Sequence, residues 1–317
     1  MQGRTQQNLH QSVVLCGCPV SSGRYRRARM ARSPDLRLRP DTSPEAALRH
    51  IAAGCRADLL KHRAVVLKSR RPEGIHQTRV ALRRLRAAFG LFRDAVHGPA
   101  VRALAAEAKW LAGECSAARD LQVFLTETIH DVPPLVRRVA NRVEEIHLRH
   151  ARAALSGARF TAFDRGLQAF AAKSPAVPAK SRLDTFGRTV LDVRHAKALR
   201  RGRKLDKFDT ARLHRLRIAI KKLRYAVVYL GPAFASGEAK PYIDSAVRLQ
   251  GALGALNDRA VAARMLGDIA TAARPTEDMA RPLKVLAKQV ASGEKRRRRR
   301  LERAWAAFRK ADRFWRA

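Results

Sequence analysis

Between Ile75 and Phe92 the sequence reads IHQTRVALRRLRAAFGLF, and five of those positions bear cations or an imidazole: His76, Arg79, Arg83, Arg84 and Arg86. Guanidinium groups are forked, permanently charged donors whose geometry matches phosphate and carboxylate oxygens. At about 100° per residue, His76, Arg79, Arg83 and Arg86 fall within an arc of roughly 80°. Leu82, Leu85, Phe89 and Phe92 fill a second arc roughly 120° away. One face is built for a core and the other is a cationic stripe. Like charges three and four residues apart oppose each other by about 0.2–0.5 kcal/mol per pair, so the stripe does nothing for an isolated helix. Neighbours on one helix face stand about 5–6 Å apart, close enough for one extended anion to touch several guanidinium heads.

A second stretch, LHRLRIAIKKLRYAVVYL from Leu213 to Leu230, repeats this grammar. Pairing His76 with His214 sets an offset of 138 residues, and the same offset pairs Arg79 with Arg217, Leu85 with Leu223, and Arg86 with Arg224. Arg83 and Arg84 meet Lys221 and Lys222, so charge is kept where identity is not. Without a gap the register runs on to pair Leu111 with Leu249, Gly113 with Gly251, and Asp120 with Asp258. Two copies of one helical unit are therefore expected. Ile220, Leu223, Val227 and Leu230 should back the second stripe as the apolar face backs the first.

The elements that must position these stripes read as helices almost throughout. Ser43 and Pro44 stand where an N-cap and a first-turn proline belong, with Glu45 near the positive helix end. Further breaks are expected at Arg71 to Gly74, Gly98 and Pro99, Pro133 and Pro134, Gly231 and Pro232, Pro241, and Pro275. KSPAVPAKS, Lys173 to Ser181, is the expected boundary between the copies. The expected fold class is all-α, with two pseudo-symmetric bundles of about four helices each around a basic cleft. The copies should span about 43–174 and 181–310 of a domain covering 43–317, preceded by a disordered basic arm over 1–42. Met30 opens a more ordinary beginning, MARSPDLRLRPDT, and is the expected true start.

Composition points to a polyanionic partner. The 317 residues hold 66 Lys plus Arg against 27 Asp plus Glu, a formal charge of +39. The arm contributes eight arginines and two aspartates, so most of the surplus belongs to the helical part. Such a body repels itself until anions neutralise it, which makes nucleic acid, an anionic membrane face or polymeric phosphate the natural partners. Cys16, Cys18, Cys55 and Cys115 form neither a disulfide framework nor a zinc spacing, as expected of a reducing compartment. No apolar run approaches the roughly 18 residues of a membrane span. A cytoplasmic protein is expected, with no cofactor and with its oligomeric state open.

The two stretches resemble the paired histidine-bearing helices of the CHAD family, the α-helical domain named for its histidines. The companion strings LAGECSAARDLQVF and LQGALGALNDRAVA are similar to the next helices of that family, with Arg119 and Asp120 in one and Asn257 and Asp258 in the other. The resemblance runs from about Ser43 to the C-terminus. It implies two helical bundles around a basic cleft that binds inorganic polyphosphate, and association with polyphosphate granules. Position by position, it implies binding by His76, Arg79, Arg83, Arg84, Arg86, His214, Arg217, Lys221, Lys222, Arg224 and Tyr225. Many relatives add a triphosphatase module marked by alternating glutamates ending in lysine; no Glu-x-Glu-x-Lys occurs here, so a non-enzymatic role is expected. Ala87 faces Tyr225 across the register, so the halves need not bind equally.

Two other readings compete. Non-specific nucleic-acid binding is open to any protein that makes phosphate contacts alone, although single-strand binders usually add aromatic platforms. A metal-dependent phosphate enzyme would use Glu144, His147 and His150, a Glu-x-x-His pair with a histidine one turn on. The offset places Pro282, Val285 and Lys288 opposite these three, none of them a plausible ligand. The KRRRRR run, Lys295 to Arg300, reads as a solvated helix face or a polyanion tail.

Overall fold

The computed structural model describes residues 38–173, 181–203, 205, 209–234, 239–273 and 277–316. Residues 1–37 of the arm expected over 1–42, the start at Met30, the linker core over 174–180 and the break at Pro275 lie outside the described residues. The last part of the predicted arm is held by the fold. Leu38 is buried in the main core, and the Pro40 carbonyl accepts the Asp184 amide at 3.3 Å.

Among the described residues every regular element is helical. In the first copy these are α1 (Pro44–Lys68), α2 (Pro72–Leu91), α3 (Pro99–Glu114), α4 (Ser116–Val123), a π-helical turn (Phe124–Thr128), α5 (Pro134–Ser156) and α6 (Ala158–Ala172). In the second they are α7 (Leu183–Gly202), α8 (Thr210–Leu230), a 3₁₀ turn (Gly231–Ala233), α9 (Ala239–Ala273), α10 (Glu277–Ala291), α11 (Glu294–Arg309) and a closing 3₁₀ turn (Phe314–Arg316). Each copy thus holds more helices than the four expected. At the offset of 138, α1, α2, α5 and α6 correspond in order to α7, α8, α10 and α11. The pair α3 and α4, divided at Cys115, corresponds to the single long helix α9.

The helix starts obey local chemistry. The Ser43 hydroxyl accepts the Ala46 amide at 3.0 Å, and Asp209 caps α8 by accepting the Ala211 and Arg212 amides at 2.7 and 3.0 Å. Pro72, Pro99 and Pro134 each open a helix where a missing N–H costs nothing. Pro241 falls in the first turn of α9 for the same reason and does not break it. Several boundaries were not expected, the break at Cys115 among them. Gly157 separates α5 from α6, and Gly293 joins α10 to α11 in the left-handed region at φ 72°, where a side chain would be strained.

The copies do not keep separate cores. The larger apolar cluster joins α1, α2, α3 and α6 to α7, α8, the first half of α9 and α11. The smaller runs from Leu121 to Ala140 in the first copy and from Ala262 to Val290 in the second. Both clusters therefore cross the predicted copy boundary, and α2 and α8 meet inside the larger one. Leu82, Leu85, Phe89 and Phe92 are all buried, as are Ile220, Leu223, Val227 and Leu230. Burying side chains of this size contributes about 1.5–3 kcal/mol each, which outweighs the repulsion along the two stripes.

Candidate functional site

With their apolar faces in one core, α2 and α8 lie against each other and their cationic faces merge. Arg83 Nε donates to the Tyr225 hydroxyl at 2.8 Å, and the Tyr229 hydroxyl donates to the Arg84 carbonyl at 3.0 Å. Arg194 of α7 stitches the pair together, donating to the Gly90 carbonyl at 3.0 Å and the Lys222 carbonyl at 2.8 Å. Each bond joins the copies or braces them, so the register of the two stripes is fixed by tertiary contacts.

A cavity of about 370 Å³ opens beside this crossing. Helix α2 supplies His76, Arg79, Val80 and Arg83, while α4 and the π turn supply Arg119, Asp120, Val123, Phe124 and Thr128. The second copy supplies Arg217 from α8 and Asp258, Val261 and Ala262 from α9. The π turn is what carries Phe124 and Thr128 round to this wall. Such turns recur where a helix must redirect side chains at a functional site.

Charge in the cavity is only partly balanced. Arg79 donates to the Ser116 hydroxyl, to the Ala112 carbonyl at 3.5 Å and to Asp120 at 3.5 Å. Burial pulls its pKa below the usual arginine value, and the Asp120 carboxylate opposes that fall. Asp120 also faces Arg264 of the second copy at 3.5 Å. Arg119 pairs with Glu127 at 3.0 Å, and burial again lowers its pKa first of all. Lys221 is held down to about 8, chiefly by burial and then by Arg217, Arg86, Arg83 and Lys222. A lysine shifted that far with four cationic neighbours marks a patch where positive charge is crowded rather than neutralised.

The residues expected from sequence divide into three groups. His76, Arg79, Arg83 and Arg217 line the cavity. Arg86 and Lys221 lie outside its lining but belong to the same cationic patch, as the crowding at Lys221 records. The others are not brought to it. Arg84 turns toward α1 and pairs with Asp58 at 3.1 Å. Lys222 faces Lys197, Arg194 and Arg93, and His214 is exposed outside the lining. Arg224 is buried, with Nε on Gln250 at 2.7 Å and its guanidinium 4.5 Å from the Tyr225 ring centroid. Tyr225 is buried as well and supports Arg83 from behind. One helical step of 100° accounts for Arg84 and Lys222: each comes one position after a stripe residue and points off the stripe.

Arg119, Asp120, Asp258, Thr128 and the bracing Arg194 were not in the set expected from sequence. Arg119, Asp120 and Asp258 were visible as companion strings in register, which is the signal that could have placed them. Arg194 left no signal, because it acts on backbone carbonyls. Among the described residues no three His, Cys, Asp or Glu side chains converge as a metal site requires. His147 has its pKa lowered by burial, with Asp268 nearby opposing that fall. No described helix is long and apolar enough to cross a membrane.

Comparison with known proteins bears on this arrangement. The model of the CHAD domain matches residues 50–267. Among solved structures, the CHAD domain from the plant Ricinus communis is similar at a TM-score of 0.74 and 26% identity, covering 89% of this chain and 96% of that one. PptA from Streptomyces chartreusis is similar at 0.59 and 17% identity, covering 85% and 99%, a likeness of fold alone. No curated protein matches.

Proposed function

Because the chain belongs to the CHAD domain family, we propose that it binds inorganic polyphosphate without chemical turnover, in the cavity where the two copies meet. One observation carries this reading: Arg79 and Arg83 of one copy and Arg217 of the other face a single cavity, with Arg86 and Lys221 extending the cationic patch beyond it. Guanidinium donors on a chain of phosphate oxygens form charge-assisted, often bidentate bonds, and repulsion among the cations is relieved as the anion enters. His76 lies at the same wall and offers a further donor when protonated.

Nucleic acid supplies phosphates too, but its single strands are usually held by exposed aromatic faces. Phe124, the aromatic residue of the lining, is 1% exposed and belongs to the smaller core. Polyphosphate has no bases to stack and fits a cavity of this kind. The deciding measurement is competition between long polyphosphate and DNA at matched phosphate concentration and fixed salt. Polyphosphate is expected to displace DNA, and the reverse order would end this reading in favour of nucleic acid. A steep loss of affinity with salt is common to both and decides nothing. A fluorescent fusion is expected to gather at polyphosphate granules in cells that make them.

A further inference from the structure

Helix α11 presents a second cationic face, outside the cavity lining. At 100° per residue, Arg296, Arg299, Arg300, Arg303 and Lys310 share an arc of roughly 100°. Leu301, Ala304, Trp305 and Phe308 fill a second arc centred roughly 140° away. The second arc packs into the core, and the first is exposed. Among the described residues no carboxylate pairs with any of the five cations; Glu294 pairs with Arg259 and Arg298, and Glu302 stands on the flank. Lys295, Arg296 and Arg297 also crowd the first turn, the positive end of the helix dipole, where cations are unfavourable. The repeat does not call for this face. At the offset of 138, Leu301, Trp305 and Phe308 correspond to Phe163, Leu167 and Phe170 of α6, so the packing side is kept. Arg296, Arg299, Arg300 and Lys310 correspond to Ala158, Thr161, Ala162 and Ala172, and only Arg303 meets another cation, Arg165. The same packing side is thus built once without the charge, and α11 lies beyond the residues 50–267 that match the CHAD model. A charge pattern that opposes its own helix and that packing does not require is expected of a binding surface.

The shape of the patch selects among polyanions. Helix α11 packs chiefly against α9, so its outer side is convex, and its five outward cations run for about 21 Å along the axis. The patch is also wide. A Cβ on Gly202 would stand 2.2 Å from the Trp305 ring, and this close approach brings the exposed Arg201 and Arg203 beside α11. A thin, flexible chain is gripped from several sides in a concave site, whereas a convex and broad patch fits a rigid polyanion with more than one row of phosphates. Double-stranded DNA has that form: its major groove is about 12 Å wide, room for one helix of about 10–12 Å, and a phosphate row flanks each side. An anionic membrane is the poorer match, because helices that lie in a membrane surface turn Trp, Phe or Leu outward, and α11 turns Leu301, Trp305 and Phe308 inward. We infer that α11, with the end of α7, is a docking surface for double-stranded DNA. Its cations contact the two backbones, and the outward arc has no Asn, Gln, Asp or Glu that could accept from base edges, so binding is independent of sequence. The surface stands whether or not polyphosphate is the ligand of the cavity. Long polyphosphate still displaces such a duplex, since binding by backbone contacts alone yields to a denser polyanion.

The test titrates the full chain with a labelled DNA duplex of mixed sequence over a range of salt. The variant combines Arg296→Gln, Arg299→Gln, Arg300→Gln and Arg303→Gln, exposed changes to a good helix former. Duplex affinity is expected to fall at least about tenfold, and the dependence of log affinity on log salt to become less steep by about 3 to 4, while titration with short linear polyphosphate is unchanged. The control removes equal charge from the exposed side of α5, by Gln at Arg137, Arg138, Arg142 and Arg149, and is expected to keep duplex binding within about twofold. Equal loss in the two variants overturns the proposal, because bulk charge then explains the binding. An equal loss of short polyphosphate in the α11 variant also overturns it, by making α11 part of the polyphosphate site. A variant that keeps the duplex but loses phosphatidylserine vesicles overturns it in favour of a membrane surface. Should the α11 variant not fold, acylation of the unaltered protein decides: bound duplex is expected to shield Lys295 and Lys310, and unchanged rates at both overturn the proposal.

Discussion

Helices α2 and α8 have the same cationic pattern 138 residues apart, yet they are used differently. From α2, His76, Arg79 and Arg83 face the cavity; from α8, only Arg217 does. Of the α8 residues that correspond to the other two, His214 is exposed outside the lining and Lys221 is crowded at its edge. The cause lies in the next segment of chain after each helix. Beyond α2 the chain breaks at Cys115 and turns through Phe124–Thr128, which brings Arg119, Phe124 and Thr128 to the wall. Beyond α8 it runs on as unbroken α9, with Ala262 in place of Phe124 and Leu266 in place of Thr128. Tyr225, where the first copy has Ala87, fills the crossing and supports Arg83 from the far side. A repeated pattern therefore fixes which helix face is cationic, while the neighbouring elements decide how much of that face a ligand meets.

The largest expected effect comes from removing the one arginine position that both copies bring to the cavity. Arg79→Glu combined with Arg217→Glu should weaken binding of long polyphosphate by at least about a hundredfold in calorimetric titration, since each arginine makes charge-assisted bonds worth about 1.5–3 kcal/mol. A loss confined to one of the two single variants would break the picture of a joint site. Next is the contrast between Arg83→Met and Lys221→Met, which occupy the same position of the repeat. The first should cost about tenfold and the second only a fewfold, because Arg83 lines the cavity and Lys221 borders it.

Lys221 also gives the comparison a pH signature. With its free-protein pKa held down to about 8, it is charged below that pH and loses its charge above it, and a bound polyanion pulls the proton back. Affinity should therefore decline as pH rises through about 8, and Lys221→Met should flatten that decline. Without ligand the sign for stability is opposite. The unfolded chain holds the Lys221 proton up to its ordinary value near 10.5, so the stability deficit is full below about 8 and is relieved as pH rises between the two. Smaller again is Tyr225→Phe, which strips the hydroxyl from Arg83 Nε and should lower stability by about 1 kcal/mol in denaturant titration. Smallest is the histidine pair: His76→Ala should weaken binding about threefold and His214→Ala hardly at all, as expected for one side chain in the lining and one exposed outside it. Equal effects of the two would restore a symmetric site.

Much of the fold was legible because its signals are local. Ser43 with its cap, the prolines at 72, 99 and 134, and the buried face from Leu82 to Phe92 all arise from hydrogen bonding and a 100° step within one helix. The break at Cys115 carries neither proline nor glycine and gives no such signal, and Gly157 and Gly293 are single glycines in long helical patterns, where glycine is often tolerated. Of the residues expected from sequence, His76, Arg79, Arg83 and Arg217 line the cavity. Arg84, Lys222 and Tyr225 entered through the family resemblance, which matches positions and does not report where a side chain packs, and Arg224, a stripe residue of the second copy, is buried.

By itself the sequence determined that the chain is helical, that it contains one pattern twice, that each pattern has a cationic and an apolar face, and that it resembles the CHAD family. Those are properties of spacing along a helix and of register between two stretches, and they need no knowledge of what lies across a gap. Tertiary structure alone decided that α2 and α8 cross with Arg83 on Tyr225, that Asp120 stands between Arg79 and Arg264, and that neither copy has a core of its own. These arrangements join residues more than a hundred positions apart or turn on how two helices pack. Side-chain volume, burial and the path of the next helix fix them, and none of the three has a period that can be read along the chain.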